Sequence, residues 1–167
     1  LREKAKSLAS DSLSATPPTG EQAKAAVRIS SLGGEILAMA QNPHRAHQVA
    51  VGCVDGKIRT FDLRRTPAES QPFTIKPTPG SFTVPTSVLN AHDLGVRGLE
   101  FHPRQADRLL SCSYDMTVAL WDLNLEQPQT QRFHHHSEFV YGVTWCPFKQ
   151  RRFASCSWDG KLTILDF

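Results

Sequence analysis

The chain has 167 residues, of which 40% are hydrophobic and 21% are charged, a composition typical of a globular protein. The sequence contains neither a transmembrane run nor a signal-peptide pattern, so no membrane insertion is expected. The formal net charge of +3 is small and scattered, which argues against a nucleic-acid partner.

Residues 1–24 are polar and rich in Ala, Ser and Lys, and Pro17 and Pro18 interrupt them. This composition predicts a solvated linker or insertion. Polar turns then separate four short apolar runs, at residues 25–32, 35–40, 49–53 and 57–63. The pattern predicts a first unit of four β-strands within residues 25–63.

Residues 64–87 hold five prolines, at Pro67, Pro72, Pro77, Pro79 and Pro85. Proline breaks helices and cannot donate a hydrogen bond to a sheet, so neither a helix nor a central strand is expected here. The segment therefore predicts a long loop between two structured units.

The clearest hairpin of the chain lies within residues 88–123. Two apolar runs, at 109–113 and 117–123, flank a polar turn at 114–116. Side chains alternate between the two faces of a strand, and the second run is largely apolar on both faces. Such a strand needs a packed neighbour on each side, so the hairpin predicts similar units before and after it.

The same hairpin recurs upstream and downstream in a fixed register. The turn aspartate Asp115 has counterparts 60 residues earlier and 44 residues later, at Asp55 and Asp159. The same two intervals separate three further sets of residues, namely Asp62, Asp122 and Asp166; Ile36, Val96 and Val140; and Pro43, Pro103 and Pro147. A repeat of about 40–45 residues, with four strands and a Trp-Asp ending, is typical of a β-propeller blade.

The chain resembles the WD-repeat family, in which a His, a Ser or Thr, an Asp and a Trp form a hydrogen-bonded tetrad that fixes the strands of each blade. The middle unit has all four residues at matching positions, namely His92, Ser111, Asp115 and Trp121. The last unit has Leu165 in place of the Trp and keeps the other three, namely His136, Ser155 and Asp159. The first unit keeps only Asp55, with apolar residues elsewhere, namely Leu32, Val51 and Phe61.

This resemblance implies an all-β WD-repeat β-propeller, with three four-stranded blades at residues 25–63, 88–123 and 131–167 of a larger, seven-bladed ring. Known propellers use about 4–8 blades, so three blades cannot close a ring. In WD-repeat rings the last repeat stops at its third strand and the N-terminal strand supplies the outer edge, and Phe167 lies at that point. We therefore expect the C-terminal portion of a longer propeller, or a short chain that oligomerises to close the ring.

No catalytic residue, metal ligand or cofactor is predicted. On a strand, His134 and His136 share a face and His135 opposes them, so the three cannot converge on one metal ion. The Ser, His and Asp of a buried tetrad lack the exposed nucleophile and the oxyanion hole that an enzyme needs. The four cysteines, with Cys112 and Cys156 one period apart, show no paired metal spacing and predict buried, reduced thiols.

The WD-repeat resemblance also places two positions of each blade on one exposed surface. The first position directly precedes the turn aspartate and is occupied by Val54, Tyr114 and Trp158. The second lies between the tetrad histidine and the inner strand and is occupied by Glu35, Asp93, Leu94, Glu138 and Phe139. Exposed aromatic residues beside carboxylates suit a peptide with apolar and basic side chains. The predicted peptide-binding residues are Glu138, Phe139, Trp158, Tyr114 and Asp93. The alternative is that Tyr114 and Trp158 pack between blades.

The last two repeats further resemble the peroxin 7 family of receptors for the type-2 peroxisomal targeting signal. The similar residues are Phe101-His102-Pro103, Ser111–Val118, His135–Phe139 with Gly142, and Cys156–Asp159 with Ile164 and Asp166. The proline-rich loop and the polar segment before residue 25 depart from the pattern of that family.

The resemblance to this family implies a non-enzymatic import receptor in the cytoplasm that shuttles to the peroxisome or a related microbody. Its partners are cargo proteins with an N-terminal type-2 signal, a co-receptor and docking proteins. Glu138 and Asp93 are expected to meet basic cargo residues, and Tyr114, Trp158 and Phe139 to cover apolar ones. Alternatives are another WD-repeat adaptor, such as a histone-binding or ubiquitin-ligase substrate-receptor propeller, and a purely structural scaffold.

Overall fold

The computed structural model describes residues 34–65 and 85–167. The predicted linker at 1–24, the predicted strand at 25–32 and most of the proline-rich segment lie outside the described residues. Apart from a 3-10 turn at Leu63–Arg65, the regular structure of the described residues consists of β-strands. The predicted all-β fold class is therefore confirmed.

Eleven strands form three antiparallel sheets within the described part of the chain. The first sheet has the order β1-β2-β3-β4, with the strands at Ile36–Gln41, Gln48–Cys53, Lys57–Asp62 and Ser87–Asn90. The second has the order β5-β6-β7-β8, at Val96–Phe101, Arg108–Ser113, Val118–Asp122 and Gln129–Phe133. The third has the order β9-β10-β11, at Val140–Trp145, Arg152–Ser157 and Leu162–Asp166.

A tight turn joins the second and third strands of each sheet, and its aspartate stabilises it. In the second sheet, the Asp115 carboxylate accepts a hydrogen bond from the backbone N–H of Thr117 at 3.0 Å. The residue that follows the turn aspartate has a left-handed backbone conformation. Its φ is 75° at Gly56 in the first sheet and 68° at Met116 in the second. A Cβ at Gly56 would lie 2.1 Å from the carbonyl oxygen of His92, so that position requires glycine.

Two strands belong to a different sheet from the one predicted. The sequence repeats place residues 88–90 and 131–133 at the start of the second and third blades. In the structure β4 pairs with β3 and β8 pairs with β7, so each of them closes the preceding sheet. A chain that reverses after its third strand meets the free edge of that strand before it reaches the next sheet, which explains the offset.

The third sheet has three strands among the described residues, as expected for a last repeat that stops at its third strand. In the other two sheets the outer strand comes from the sequence that follows the third strand.

The apolar cores lie between neighbouring sheets. In the core between the first and second sheets, Ala50 and Ile58 pack with Val96, Phe101 and Trp121. All five side chains are buried, which removes their apolar surface from water and holds the two sheets together.

Strand β7 contributes to the cores on both of its sides. Ala119 and Trp121 belong to the core shared with the first sheet, whereas Val118 and Leu120 belong to the core shared with the third. None of these four side chains is more than 3% exposed. The prediction that this strand is covered on both faces is confirmed.

The third sheet exposes the face that the second sheet buries. Val118 and Leu120 are buried, but their counterparts one period later, Leu162 and Ile164, are 70% and 61% exposed. Cys156 lies opposite Leu162 in the register and is also exposed. The prediction that the thiols are buried is therefore wrong for Cys156, because no further sheet covers this face in the described part of the chain.

Candidate peptide-recognition site

Four polar side chains form one hydrogen-bonded chain across the second sheet. Nδ1 of His92 lies 2.8 Å from Oδ2 of Asp115, and Nε2 lies 2.7 Å from Oγ of Ser111. Nε1 of Trp121 donates to the same hydroxyl oxygen at 2.8 Å. These hydrogen bonds connect the loop before β5 with strands β6 and β7 and with the turn between those two strands. The backbone N–H of Asp93 also donates to Oδ2 of Asp115 at 3.2 Å, so the same network holds a predicted site residue.

Asp115 and the equivalent turn aspartate of the third sheet, Asp159, are strongly acidic. Burial raises the pKa of Asp115, but hydrogen bonds from His92 and Thr117 outweigh it and hold the pKa well below its usual range. Burial likewise raises the pKa of Asp159, and the hydrogen bond to His136 with those from two backbone N–H groups lowers it to about 2. Both carboxylates are therefore ionised at neutral pH.

In the third sheet a histidine replaces the missing tryptophan. His136 lies 2.9 Å from both Asp159 and Ser155. Leu165 has no polar atom to offer, but Nε2 of His135 lies 2.7 Å from the Ser155 hydroxyl oxygen. The expectation that His135 and His136 point in opposite directions is wrong, because β8 ends at residue 133 and strand alternation does not extend to them.

In the first sheet an ion pair and apolar packing replace the tetrad. The Asp55 carboxylate accepts two hydrogen bonds from the Arg59 guanidinium, at 2.7 and 3.1 Å. Val51 and Phe61 stand at the Ser and Trp positions and are buried in an apolar cluster with Cys53. Leu32, at the histidine position, lies outside the described residues.

Backbone hydrogen bonds bring the two predicted surface positions of each sheet to the same edge. The N–H of Val54 donates to the carbonyl of Glu35 at 2.9 Å, and the N–H of Trp158 donates to that of Phe139 at 3.0 Å. In the second sheet the corresponding bond joins Tyr114 to Gly95 at 3.1 Å. The turn before each third strand and the segment before each first strand therefore share one surface.

Four aromatic rings meet at this surface, across the boundary between the second and third sheets. The Tyr114 ring lies 5.2 Å from Phe139 and 5.7 Å from Tyr141, measured between centroids. Trp158 lies 5.6 Å from Phe139 and stacks on Tyr141 at 4.7 Å with an interplanar angle of 24°. We call these four residues the aromatic cluster. Its rings make the tilted and offset contacts that aromatic pairs favour.

Exposure differs within the aromatic cluster. Trp158 is 65% exposed, so most of its indole is available to a partner. Tyr114 is half-buried and contacts two rings of the next sheet. The alternative of packing between sheets therefore applies to Tyr114, whereas Trp158 has the exposure that the surface interpretation expects.

Sequence reasoning missed two residues beside this surface. Tyr141 completes the aromatic cluster, and the guanidinium carbon of Arg97 lies 5.6 Å from the centroid of the Tyr141 ring. Arg97 also donates a hydrogen bond to the carbonyl oxygen of Leu37 at 3.3 Å. Residues 37, 97 and 141 are one repeat apart and each follows an inner-strand marker, so the register itself could have identified them.

The two predicted acidic residues lie at the rim of the same surface. Asp93 and Glu138 are exposed, and among the described residues their carboxylates have neither a hydrogen bond nor an ion pair. The carbonyl of Glu138 accepts a hydrogen bond from the Ser157 hydroxyl at 2.9 Å, which fixes its backbone beside Trp158. The surface thus combines an exposed indole with two free carboxylates.

The described residues contain no group of three or more His, Cys, Asp or Glu side chains placed to hold a metal ion. None of the helical structure in residues 34–65 and 85–167 is long and apolar enough to cross a membrane.

Residues 83–122 and 127–166 match the family model described as WD domain, G-beta repeat. These residues are therefore WD repeats, and the sheets that they form are blades of a WD-repeat β-propeller.

The proteins similar to this chain include coronin-7 and the peroxisomal targeting signal 2 receptor. Coronin-7 from Bos taurus is 34% identical over 134 residues, which are 80% of this chain and 13% of that protein. The peroxisomal targeting signal 2 receptor from Saccharomyces cerevisiae is 34% identical over 152 residues, covering 79% of this chain and 40% of the receptor. The receptor of the same name from Dictyostelium discoideum is 45% identical over 65 residues, covering 38% and 21%. The chain thus spans less than half the length of each of these relatives.

Proposed function

We propose that the aromatic cluster and the rim carboxylates Asp93 and Glu138 bind a short peptide with apolar and basic side chains. On this proposal the chain works as part of a receptor for the type-2 peroxisomal targeting signal. Its similarity to two peroxisomal targeting signal 2 receptors supports the proposal. Its role is recognition without catalysis.

The observation that carries the proposal is the exposed Trp158 beside the free Glu138 carboxylate. A Trp side chain buries about 150–250 Å² when fully covered, so covering the 65% that is exposed removes roughly 100–160 Å² from water. At about 25 cal/mol per Å², this contributes about 3 kcal/mol before the costs of association. A charge-assisted hydrogen bond between Glu138 and a basic residue adds about 1–3 kcal/mol.

The proposed partners follow from the proposed role. Cargo proteins with an N-terminal type-2 signal supply the peptide, a co-receptor completes the complex, and docking proteins receive it at the peroxisome. The proposed location is the cytoplasm, with shuttling to the peroxisome or a related microbody.

The test is a titration of a labelled type-2 signal peptide onto the full receptor with its co-receptor. Glu138→Lys is expected to weaken binding by about ten- to a hundredfold, because it removes an attraction and adds a repulsion. Glu126→Lys is the matched control, because Glu126 is exposed in the β7–β8 connection at the opposite edge of the sheet. Thermal melts of both variants are expected to match the wild type.

Equal affinities of the wild type and Glu138→Lys would exclude the proposed contact. A second candidate, a WD-repeat protein-interaction adaptor of another kind, is favoured by the similarity to coronin-7 over 80% of the chain. That candidate would be preferred if the wild-type complex bound no type-2 signal peptide at all.

A further inference from the structure

A cleft opens between the second and third sheets, away from the aromatic cluster. Its volume is about 310 Å³. Arg108 and Leu120 line it from the second sheet, and Gln150 and Arg151 line it from the β9–β10 connection. This connection lies at the edge opposite to the turn that carries Trp158, so the cleft is distinct from the proposed peptide site.

Arg108 faces the cleft, and no carboxylate of the described residues pairs with it. Arg152 occupies the same repeat position in the third sheet and is paired with Asp166 across the strands by two hydrogen bonds of 2.6 Å. Arg108 has Asp122 opposite it in the equivalent register. Among the described residues, however, the Arg108 guanidinium makes neither an ion pair nor a hydrogen bond. It is half-buried and lines the cleft instead.

Arg151 brings a second positive charge at a position where the preceding repeat has a carboxylate. Asp107 lies one period before Arg151 and forms a two-bond pair with Arg45, at 2.5 and 3.2 Å, between the first and second sheets. The corresponding residues at the next boundary are Gln105 and Arg151. This boundary therefore has an arginine and an amide where the previous one has an ion pair.

The walls of the cleft are held in place by the fold. His102 is 1% exposed, and its Nε2 lies 3.1 Å from the carbonyl oxygen of Gln150, which ties the β9–β10 connection to the second sheet. Arg151 donates through Nε to the carbonyl of Phe167 and lies 5.7 Å from the centroid of its ring. Its two terminal nitrogens have no hydrogen bond among the described residues. The Arg151 guanidinium is thus partly ordered before any ligand arrives.

The side chains that line the cleft determine the kind of ligand it suits. Among the described residues, two guanidinium groups, three side-chain amides and one hydroxyl line the cleft, together with the apolar surfaces of Leu120 and Phe167, and no Asp or Glu side chain does. The amides are those of Gln105, Gln131 and Gln150, and the hydroxyl is that of Thr130. Guanidinium groups pair with carboxylates through parallel hydrogen bonds, and amides can bond to a peptide backbone. Two cations are too few for an extended nucleic-acid backbone.

We propose that this cleft binds an acidic peptide segment of a partner protein. Its carboxylates pair with Arg108 and Arg151, and an apolar side chain lies against Leu120 and Phe167. This site goes beyond the proposed targeting-signal site, since it takes a peptide of the opposite charge at a different edge of the blades.

The test is a fluorescence-anisotropy titration of a labelled Glu- and Leu-containing peptide onto the full-length protein. A peptide with Lys in place of each Glu serves as the ligand control. The acidic peptide is expected to bind with a Kd below about 1 mM, and the basic one is expected not to bind at this cleft. Arg108→Glu is expected to weaken acidic-peptide binding at least tenfold.

Arg104→Glu is the matched control, because Arg104 is exposed in the β5–β6 connection and does not line the cleft. It makes the same change in net charge and is expected to weaken binding much less than Arg108→Glu does, because Arg104 does not line the cleft and cannot pair directly with a bound carboxylate. If Arg108→Glu fails to fold, Arg108→Gln, which removes the charge alone, replaces it, with an expected loss of several-fold.

Three results would overturn the proposal. One is the absence of acidic-peptide binding to the wild-type protein, and another is an equal loss in the Arg104 and Arg108 variants. The third is a loss of acidic-peptide binding in Trp158→Ala, which would assign that peptide to the aromatic cluster. Because the type-2 signal peptide is titrated separately, failure at this cleft is distinguishable from failure of the proposed targeting-signal site.

Discussion

Replacement of Trp121 tests how much the tetrad stabilises the second sheet. Trp121 is 2% exposed and belongs to the core between the first two sheets. Its indole N–H donates to the Ser111 hydroxyl, which also contacts His92. Two substitutions separate the contributions, because Trp121→Phe keeps most of the apolar volume and removes the donor, whereas Trp121→Ala removes both.

The expected costs follow from burial and from the hydrogen bond. Truncation of a buried Trp to Ala leaves a cavity and costs about 3–5 kcal/mol. Trp121→Phe loses one hydrogen bond, and His92 still satisfies Ser111, so a cost of about 1–2 kcal/mol is expected. At about 2–4 °C per kcal/mol for a protein of this size, Trp121→Ala lowers the Tm by about 6–20 °C.

The assay is thermal and urea denaturation followed by circular dichroism and tryptophan fluorescence. The matched control is Leu165→Ala, since Leu165 occupies the same repeat position but is only half-buried and makes no tetrad hydrogen bond. A smaller loss of stability is expected there. An alanine variant at Trp121 that expressed and melted like the wild type would refute the assignment of this residue to the core.

The remaining predictions concern pH, thiol reactivity and the first sheet. Folding lowers the pKa of Asp159 to about 2 from a usual value near 4. The stabilisation by its ionised carboxylate is therefore complete above about pH 4 and is lost as the pH falls towards 2. In a plot of unfolding free energy against pH, Asp159→Asn should reduce the fall in stability between pH 4 and pH 2. Burial raises the pKa of Cys112 to about 12, so at pH 8 iodoacetamide should label the exposed Cys156 much faster, as mass spectrometry of peptides would reveal; equal rates would contradict the burial difference. Arg59→Ala leaves the Asp55 carboxylate without its guanidinium and should cost about 1–3 kcal/mol in urea denaturation, and no loss would show that the pair is not stabilising.

The third sheet shows why a repeat position alone does not predict the effect of a mutation. Leu165→Trp would restore the tetrad residue in the sequence, but His135 already contacts the Ser155 hydroxyl. We therefore expect this substitution to gain little stability or to cause a clash. The prediction depends on a contact that is visible only in the folded chain.

The sequence by itself determined the repeat and the elements within it. The spacing of Asp55, Asp115 and Asp159 placed the turn of each sheet, because a turn forms from neighbouring residues and its aspartate acts locally. The apolar pattern of β7 predicted its burial on both faces, since side-chain alternation is a property of the single strand. The WD-repeat resemblance, applied to the residue before Asp159 and to the second residue after His136, predicted Trp158 and Glu138 as surface residues.

Only the tertiary structure decided which separate segments meet. Strands β4 and β8 each join the sheet whose free strand edge lies nearest in space. The spacing of residues along the sequence does not show which strand edge that is. The pairing of His135 with Ser155, the contact of Tyr141 with Trp158 and the position of Arg108 in the cleft likewise depend on side chains from different strands or sheets. Local propensity fixes the strands, whereas packing between sheets fixes which side chains face one another, and the candidate sites arise from that packing.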